Sequence, residues 1–173
     1  MSQADAPAAW IDAETQVSDA ADHRAELRLW LRLLTCSTLI ETEVRRRLRD
    51  NFGITLPRFD LLAQLDRVEE GLVLGELSKR LMVSAGNITA LVERLVESGH
   101  VTRFPSPTDR RVQIIRMTPE GRRSFRVIAE RHGEWIGELF AGLSGDDMDS
   151  LMGELGRLKA SVRGAAVAKE TAV

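Results

Sequence analysis

Ser84, Asn87, Arg94 and the pair Arg110-Arg111 are the residues of this chain whose types and order point to chemistry, and that chemistry is recognition. An asparagine sets a donor beside an acceptor, the pattern that bonds bidentately to the edge of adenine. A serine that opens a helix shares the helix end with free backbone N–H groups, a setting that suits a phosphate. A projecting arginine suits a narrow, electronegative minor groove. Nothing comparable points to catalysis. His23, His100 and His132 are scattered, and no metal-ligand or nucleophile spacing occurs. Cys36 is the single cysteine, which leaves no internal disulfide and no cysteine-rich zinc site. The expectation is a binding protein, not an enzyme, with no cofactor.

The elements that must hold those residues lie between Leu74 and Met117. A first short helix is expected over Gly75 to Leu81, burying Leu77 and Leu81. Ser84 caps a second. Its Ile88, Leu91, Val92, Leu95 and Val96 recur at i, i+3, i+4, i+7 and i+8, the spacing of one buried face. Gly99 closes that helix. Its opposite face presents Gly86, Asn87, Ala90, Glu93, Arg94 and Glu97, with Thr89 counted among the contacts. A helix in a major groove reads bases with its N-terminal half. Small Gly86 and Ala90 let the backbone approach, and Ala90 suits a thymine methyl. Two uses of Asn87 compete, base contact and local turn bonding. Arg94 likewise has two, DNA or a pair with Asp109. A hairpin follows, pairing Val101–Phe104 with Val112–Met117. Its tip, 105–110, holds two prolines and is no inner strand. Leu72 to Leu74 is expected as a third strand. Helix, turn, helix and hairpin make a winged helix-turn-helix.

The flanks read as helix. Residues 1–22 suggest a flexible arm. A long helix is expected from His23 to Asp50, ended by Asn51-Phe52-Gly53, with Arg45, Arg46, Arg47 and Arg49 suited to its C-terminal dipole. Thr55 and Pro57 start another, with an apolar stripe of Phe59, Leu62, Leu65 and Val68. Thr118-Pro119 opens a helix reaching about Leu143. Ser144 and Asp147 cap a last helix to Arg163, leaving a frayed tail, 164–173. The expected fold class is therefore mainly α (α+β). The main domain spans 23–163, with a winged helix over about 55–118. The helices at about 23–50 and 119–163 form a dimerisation region. They carry more apolar surface than one small domain can bury, so a homodimer is expected, with its two reading helices about one DNA turn apart on a palindromic site.

Composition fits this reading. The chain has 173 residues, 43% hydrophobic and 29% charged, with a net charge of −2. The charge is divided. Arginines and Lys79 crowd Lys79 to Arg126, while acidic residues collect in Asp5 to Asp22 and Glu130 to Glu154. That makes one basic module inside an acidic whole. No apolar run approaches a membrane span, and the N-terminus lacks the pattern of a secretory signal. A cytoplasmic protein with no membrane partner is expected.

The stretch from Leu74 to Gly121 resembles the winged helix of the multiple antibiotic resistance regulator (MarR) family. The likeness rests on LSKRL, on Ser84, on the LVERLVESG run, and on Asp109-Arg110-Arg111 ahead of a strand that ends Met117-Thr118-Pro119-Glu120-Gly121. The flanking helices extend it to roughly 25–162. The resemblance implies a DNA-binding homodimer that represses transcription until a small molecule releases it. Arg111 is then the wing arginine and Ser84–Arg94 the recognition helix. Many members have polar or basic residues where this chain has Gly86 and Ala90, which implies fewer base contacts. The Gly-Asn-Ile-Thr run is similar to a branch controlling aromatic-acid breakdown, including members that answer to hydroxycinnamoyl-CoA thioesters. The implied effector is thus an aromatic acid or an aryl-CoA thioester. Trp30 and Phe59 are the candidate aromatic walls of its pocket, joined by Ser37, and Arg58 its anion anchor. The peroxide-sensing branch uses a cysteine held by tyrosines. This chain has no tyrosine, and Cys36 falls in an apolar stretch, so a buried inert thiol is expected over a redox switch. A winged helix used only for protein contacts is the remaining alternative.

Overall fold

The computed structural model describes residues 23–109 and 111–171, with side chains described as far as residue 165. The expected arm, 1–22, lies outside the described residues. The elements run α1 (Arg24–Phe52), α2 (Leu56–Asp66), β1 (Leu72–Val73), α3 (Leu74–Leu81), α4 (Ala85–Glu97), β2 (Val101–Pro105), β3 (Gln113–Met117), α5 (Pro119–Leu139) and α6 (Gly145–Thr171). The chain divides into two compact units, Met1–Gly133 and Glu134–Val173.

The core of the first unit follows from the helical stripes. Leu48 of α1, Leu61, Leu62 and Leu65 of α2, Leu77 of α3, and Ile88, Val92 and Leu95 of α4 are almost wholly buried. Burying each such side chain contributes about 1.5–3 kcal/mol. Ile115 of β3 closes the set from the sheet. The Phe59 ring meets Phe125 of α5 at 5.5 Å and His132 at 4.8 Å between centroids. That contact fixes the first half of α5 against α2.

The sheet is antiparallel in the order β1-β3-β2. Leu72 pairs with Ile115, and Val101 through Pro105 pair with Met117 back through Gln113. Two glycines are required by space. A Cβ at Gly71, where φ is +81°, would fall 2.4 Å from the Ile115 carbonyl oxygen. One at Gly121 would fall 2.0 Å from the His100 carbonyl oxygen. So α5 can start against the base of β2 only with glycine at that point. Thr118 completes the joint. Its hydroxyl accepts the Gly121 N–H at 2.9 Å and donates to the Gly99 carbonyl at 2.7 Å.

Several expectations are corrected. Leu74 belongs to α3 and not to the strand. Val68 lies beyond the end of α2. Val96 is 39% exposed, and Leu91 and Leu81 are only partly buried. Eight residues after Ile88, a 3.6-residue period has drifted roughly 80°, which carries Val96 off the stripe. The stretch expected as a frayed tail is helical through Thr171. The arginines at the end of α1 are not left to the dipole alone. Arg46 and Arg47 both hold Glu43, Arg45 holds Glu41, and Arg46 also reaches Asp50. The Arg46 hydrogen bond, followed by that of Arg47, lowers the Glu43 pKa to about 2.

In the second unit, Ser144 and Asp147 cap α6 reciprocally. Asp147 Oδ2 accepts from the Ser144 N–H at 2.9 Å and from its hydroxyl at 2.6 Å, and the Asp147 N–H returns to Ser144 Oγ at 3.1 Å. This is a capping box.

Candidate nucleic-acid interface

The α4 helix presents what its sequence spacing demands. Ser84, at ψ 156°, is its N-cap, and Ser84 Oγ accepts the Asn87 N–H at 3.4 Å. Gly86, Asn87, Ala90 and Arg94 are exposed. The Asn87 side-chain amide forms no hydrogen bond among the described residues, so both its donor and its acceptor face solvent ready for a base edge. Thr89 is partly buried, and its hydroxyl donates to the Ala85 carbonyl at 2.9 Å. That hydroxyl is already engaged by the helix backbone. Arg94 has no partner among the described residues. The alternative pairing of Arg94 with Asp109 is not formed.

Asp109 has another task. Its Oδ1 accepts the Arg111 N–H at 2.9 Å, and its carbonyl accepts the Val112 N–H at 2.9 Å. Across the tip, the Ser106 N–H donates to the Val112 carbonyl at 2.8 Å. Ser106 is buried, and its hydroxyl meets that of Thr108 at 3.0 Å. The wing tip is therefore a braced turn, and the Arg111 side chain projects from it exposed. Arg110 lies outside the described residues.

Two arginines that were only part of a charge count turn out to be struts. Arg116 of β3 donates from Nε to the Glu70 carbonyl at 2.7 Å and pairs with the Glu70 carboxylate at 2.8 Å. Its guanidinium also lies 5.4 Å from the centre of the Phe104 ring. Arg103 of β2 stands 4.0 Å from Glu93 on α4, linking the wing to the reading helix. Its Nε and Nη2 are buried without a hydrogen bond. No sequence signal marks either pairing, because both join residues on different elements.

A capped helix with a small, hydrogen-bonding face and a braced arginine wing, in one unit, is the arrangement of a winged-helix DNA reader. The MarR family model matches residues 52–112. The transcriptional activatory protein BadR of Rhodopseudomonas palustris is 33% identical over 135 residues, 75% of this chain and 77% of its own. The chain belongs to the MarR family. Among solved structures, Sco3205 of Streptomyces coelicolor, a MarR family regulator in complex with DNA, is 26% identical at a TM-score of 0.71, covering 84% of this chain and 91% of that one. CouR of Rhodococcus jostii RHA1, bound to p-coumaroyl-CoA, shares the fold at 23% identity and a TM-score of 0.66, covering 78% and 90%. The mostly helical fold with its small antiparallel sheet is thus the MarR winged helix, and the protein is a transcriptional regulator and not an enzyme.

The MarR-type effector residues expected from sequence are not gathered. Trp30 is 58% exposed and Ser37 is exposed, while Phe59 is buried in the core. Arg58 lines a cavity, and its neighbours there include Ser98, His100 and Ser124. The separation has a simple origin. Trp30 and Ser37 share a face in the N-terminal half of α1, whereas Phe59 turns inward from α2 toward Phe125. Cys36, expected buried, is exposed. Its apolar neighbours, such as Leu39, are themselves exposed on this part of α1, so an apolar local sequence does not bury it.

Proposed function

We propose that this MarR-family protein is a repressor that grips a palindromic DNA operator as a homodimer and lets go when a small aromatic acid or its CoA thioester binds. The observation that carries the reading is the union, in one unit, of the open Asn87–Arg94 face with the braced Arg111 wing. The leanness of Gly86 and Ala90 shifts weight toward phosphate contacts and DNA shape. Dimerisation is supported by apolar side chains left uncovered on α1, among them Leu27, Leu29 and Trp30, and by Leu151, Met152 and Leu155 on α6. The ligand class is supported by the CouR neighbour, held with p-coumaroyl-CoA. Such a regulator works in the cytoplasm, beside its DNA. No helix among the described residues is long and apolar enough to cross a membrane.

A second reading, activation in place of repression, is favoured by the BadR relative, described as a transcriptional activatory protein. One experiment tests both. Mobility shift on the gene's own promoter should show specific binding that weakens steeply with salt. A reporter from the same promoter should rise on deletion of the regulator for a repressor and fall for an activator. Aromatic acids and their thioesters are then added to seek release. A chain that binds all DNA alike, or none, would sink the proposal.

A further inference from the structure

We infer that Met82, in the turn between α3 and α4, is a DNA-contact residue whose thioether packs on the deoxyribose surface beside the groove that α4 reads. This rests on the reading of the protein as an operator-gripping regulator and adds an apolar contact to its polar ones.

Two independent observations single out Met82. Its backbone is left-handed, at φ 53° and ψ 38°, and it is the one non-glycine residue with a positive φ among the described residues. A side chain in that region crowds the following carbonyl oxygen, so glycine is the usual occupant. The chain keeps to that preference after two other helices, where Gly53 follows α1 and Gly99 follows α4, both with positive φ. The Met82 side chain is also 94% exposed, the most open of the large apolar side chains among the described residues. Its strain is therefore not offset by packing within the chain. Strain held at an exposed residue points to a use outside the fold.

The turn fixes this conformation from both sides. The Met82 N–H donates to the Lys79 carbonyl at 3.3 Å, and the Val83 N–H donates to the Ser78 carbonyl at 3.1 Å. The Ser78 hydroxyl donates in turn to the Val83 carbonyl at 2.6 Å. Relaxing Met82 would break this set of bonds.

The place of the turn names the partner. Ser84, two residues on, opens α4 as its N-cap, and two residues of chain span at most about 7 Å. A surface approached by Ser84 and Asn87 is thus within reach of the long Met82 side chain. Lys79, exposed on the other side of the turn, offers a cation to the same surface. Beside a groove, DNA presents phosphates to cations and sugar rings to apolar groups. A thioether is uncharged and adapts its shape, so it fits the sugar.

Met82→Gly, Met82→Asn and Met82→Leu, each in the full chain, test the contact. Each is read by thermal melting and by mobility shift on the promoter and on an unrelated duplex across a salt series. Met82→Gly should melt about 2–4 °C higher, because glycine removes the strain. It should nevertheless bind both duplexes about tenfold more weakly, the loss expected when part of one methionine is no longer covered. Asparagine tolerates the left-handed region, so Met82→Asn should fold normally and bind as weakly as the glycine variant. Met82→Leu keeps the apolar bulk and should keep the parent affinity. The salt slope should stay at the parent value in all three, since a thioether releases no counterion. Parent affinity in Met82→Gly and Met82→Asn, an equal loss in Met82→Leu, or a changed salt slope would each overturn the inference. A loss confined to the promoter would place the contact on a base and overturn the sugar assignment. If the parent chain selects its promoter and Met82→Gly binds as well, the contact falls and the regulator reading stands. If the parent binds both duplexes alike and Met82→Gly weakens both, the operator reading falls and the contact stands.

Discussion

Between Leu72 and Met117 the apolar residues that define the motif, from Leu77 through Ile88, Val92, Leu95 and Ile115, have essentially no exposure, whereas along α6 Met148, Leu151 and Val162 lie open and Met152 is 71% exposed. Both segments show apolar residues at helical spacing. They differ in what lies within reach. The winged-helix segment folds back on itself through a three-stranded sheet, and α2 and α4 supply the other side of its core. Its cross-links, Arg116 to Glu70 and Arg103 to Glu93, join separate elements. The hydrogen bonds and ion pairs described for α6 stay local, such as the Ser144–Asp147 cap and the Arg157–Glu154 pair. One segment buries its apolar stripe within the chain, and the other leaves its stripe open. Stability should therefore live in the first and assembly in the second.

The largest test of that division is a charge on the open face of α6. Leu151→Glu should split the proposed homodimer in analytical ultracentrifugation and lower operator affinity about 100-fold or more, because two linked half-site contacts become independent. Thermal melting of the winged helix should barely change. A variant that stays dimeric would show that this face is not the interface.

Leu62→Ala probes the opposite side of the comparison. Leu62 has no exposure, so the variant should lose about 2–5 kcal/mol in urea unfolding. An effect as small as that of a surface change would mean that the winged helix is not where stability is held.

Arg111→Ala separates binding from both. The Arg111 side chain projects from a turn braced by backbone bonds, so its loss should leave folding intact. DNA affinity should fall by about 1–3 kcal/mol and the salt slope should drop by about one. Unchanged affinity would remove the wing from the interface.

The smallest expected effect is a pH dependence. Burial lowers the His132 pKa below its ordinary 6.5. The folded state then binds fewer protons than the unfolded one, so stability is full above pH 6.5 and is lost as pH falls through the lowered value. His132→Phe, which keeps a ring against Phe59, should flatten the melting temperature below pH 6.5. A slope equal to that of the parent chain would place the titrating group elsewhere.

Much of the winged helix could be read from residues alone, for a local reason. Ser84 caps α4, Thr118 caps α5, and Ser144 with Asp147 caps α6, because a cap bonds within one turn of its own helix. Asn87 and Arg94 share a face because α4 is a helix, and no long-range contact is needed to put them there. The failures are as instructive. Cys36 was expected buried because its neighbours are apolar, but local composition does not say whether a second surface covers the helix. Trp30, Ser37, Arg58 and Phe59 were expected to meet, but their elements turn those side chains in different directions.

The amino-acid order by itself determined the helix–turn–helix–hairpin layout, the caps and the placing of Arg111 at a wing tip, since each depends on interactions a few residues apart. It also determined Gly71 and Gly121, although only the folded chain shows why. There the backbone of Ile115 and of His100 comes so near that no side chain fits. The tertiary structure alone decided that Arg103 meets Glu93, that Arg116 meets Glu70, and that Arg58 stands open beside His100. Those pairings turn on strand register and on the angle between helices. Many small contacts summed over the whole core set both, and no single stretch of sequence records that sum.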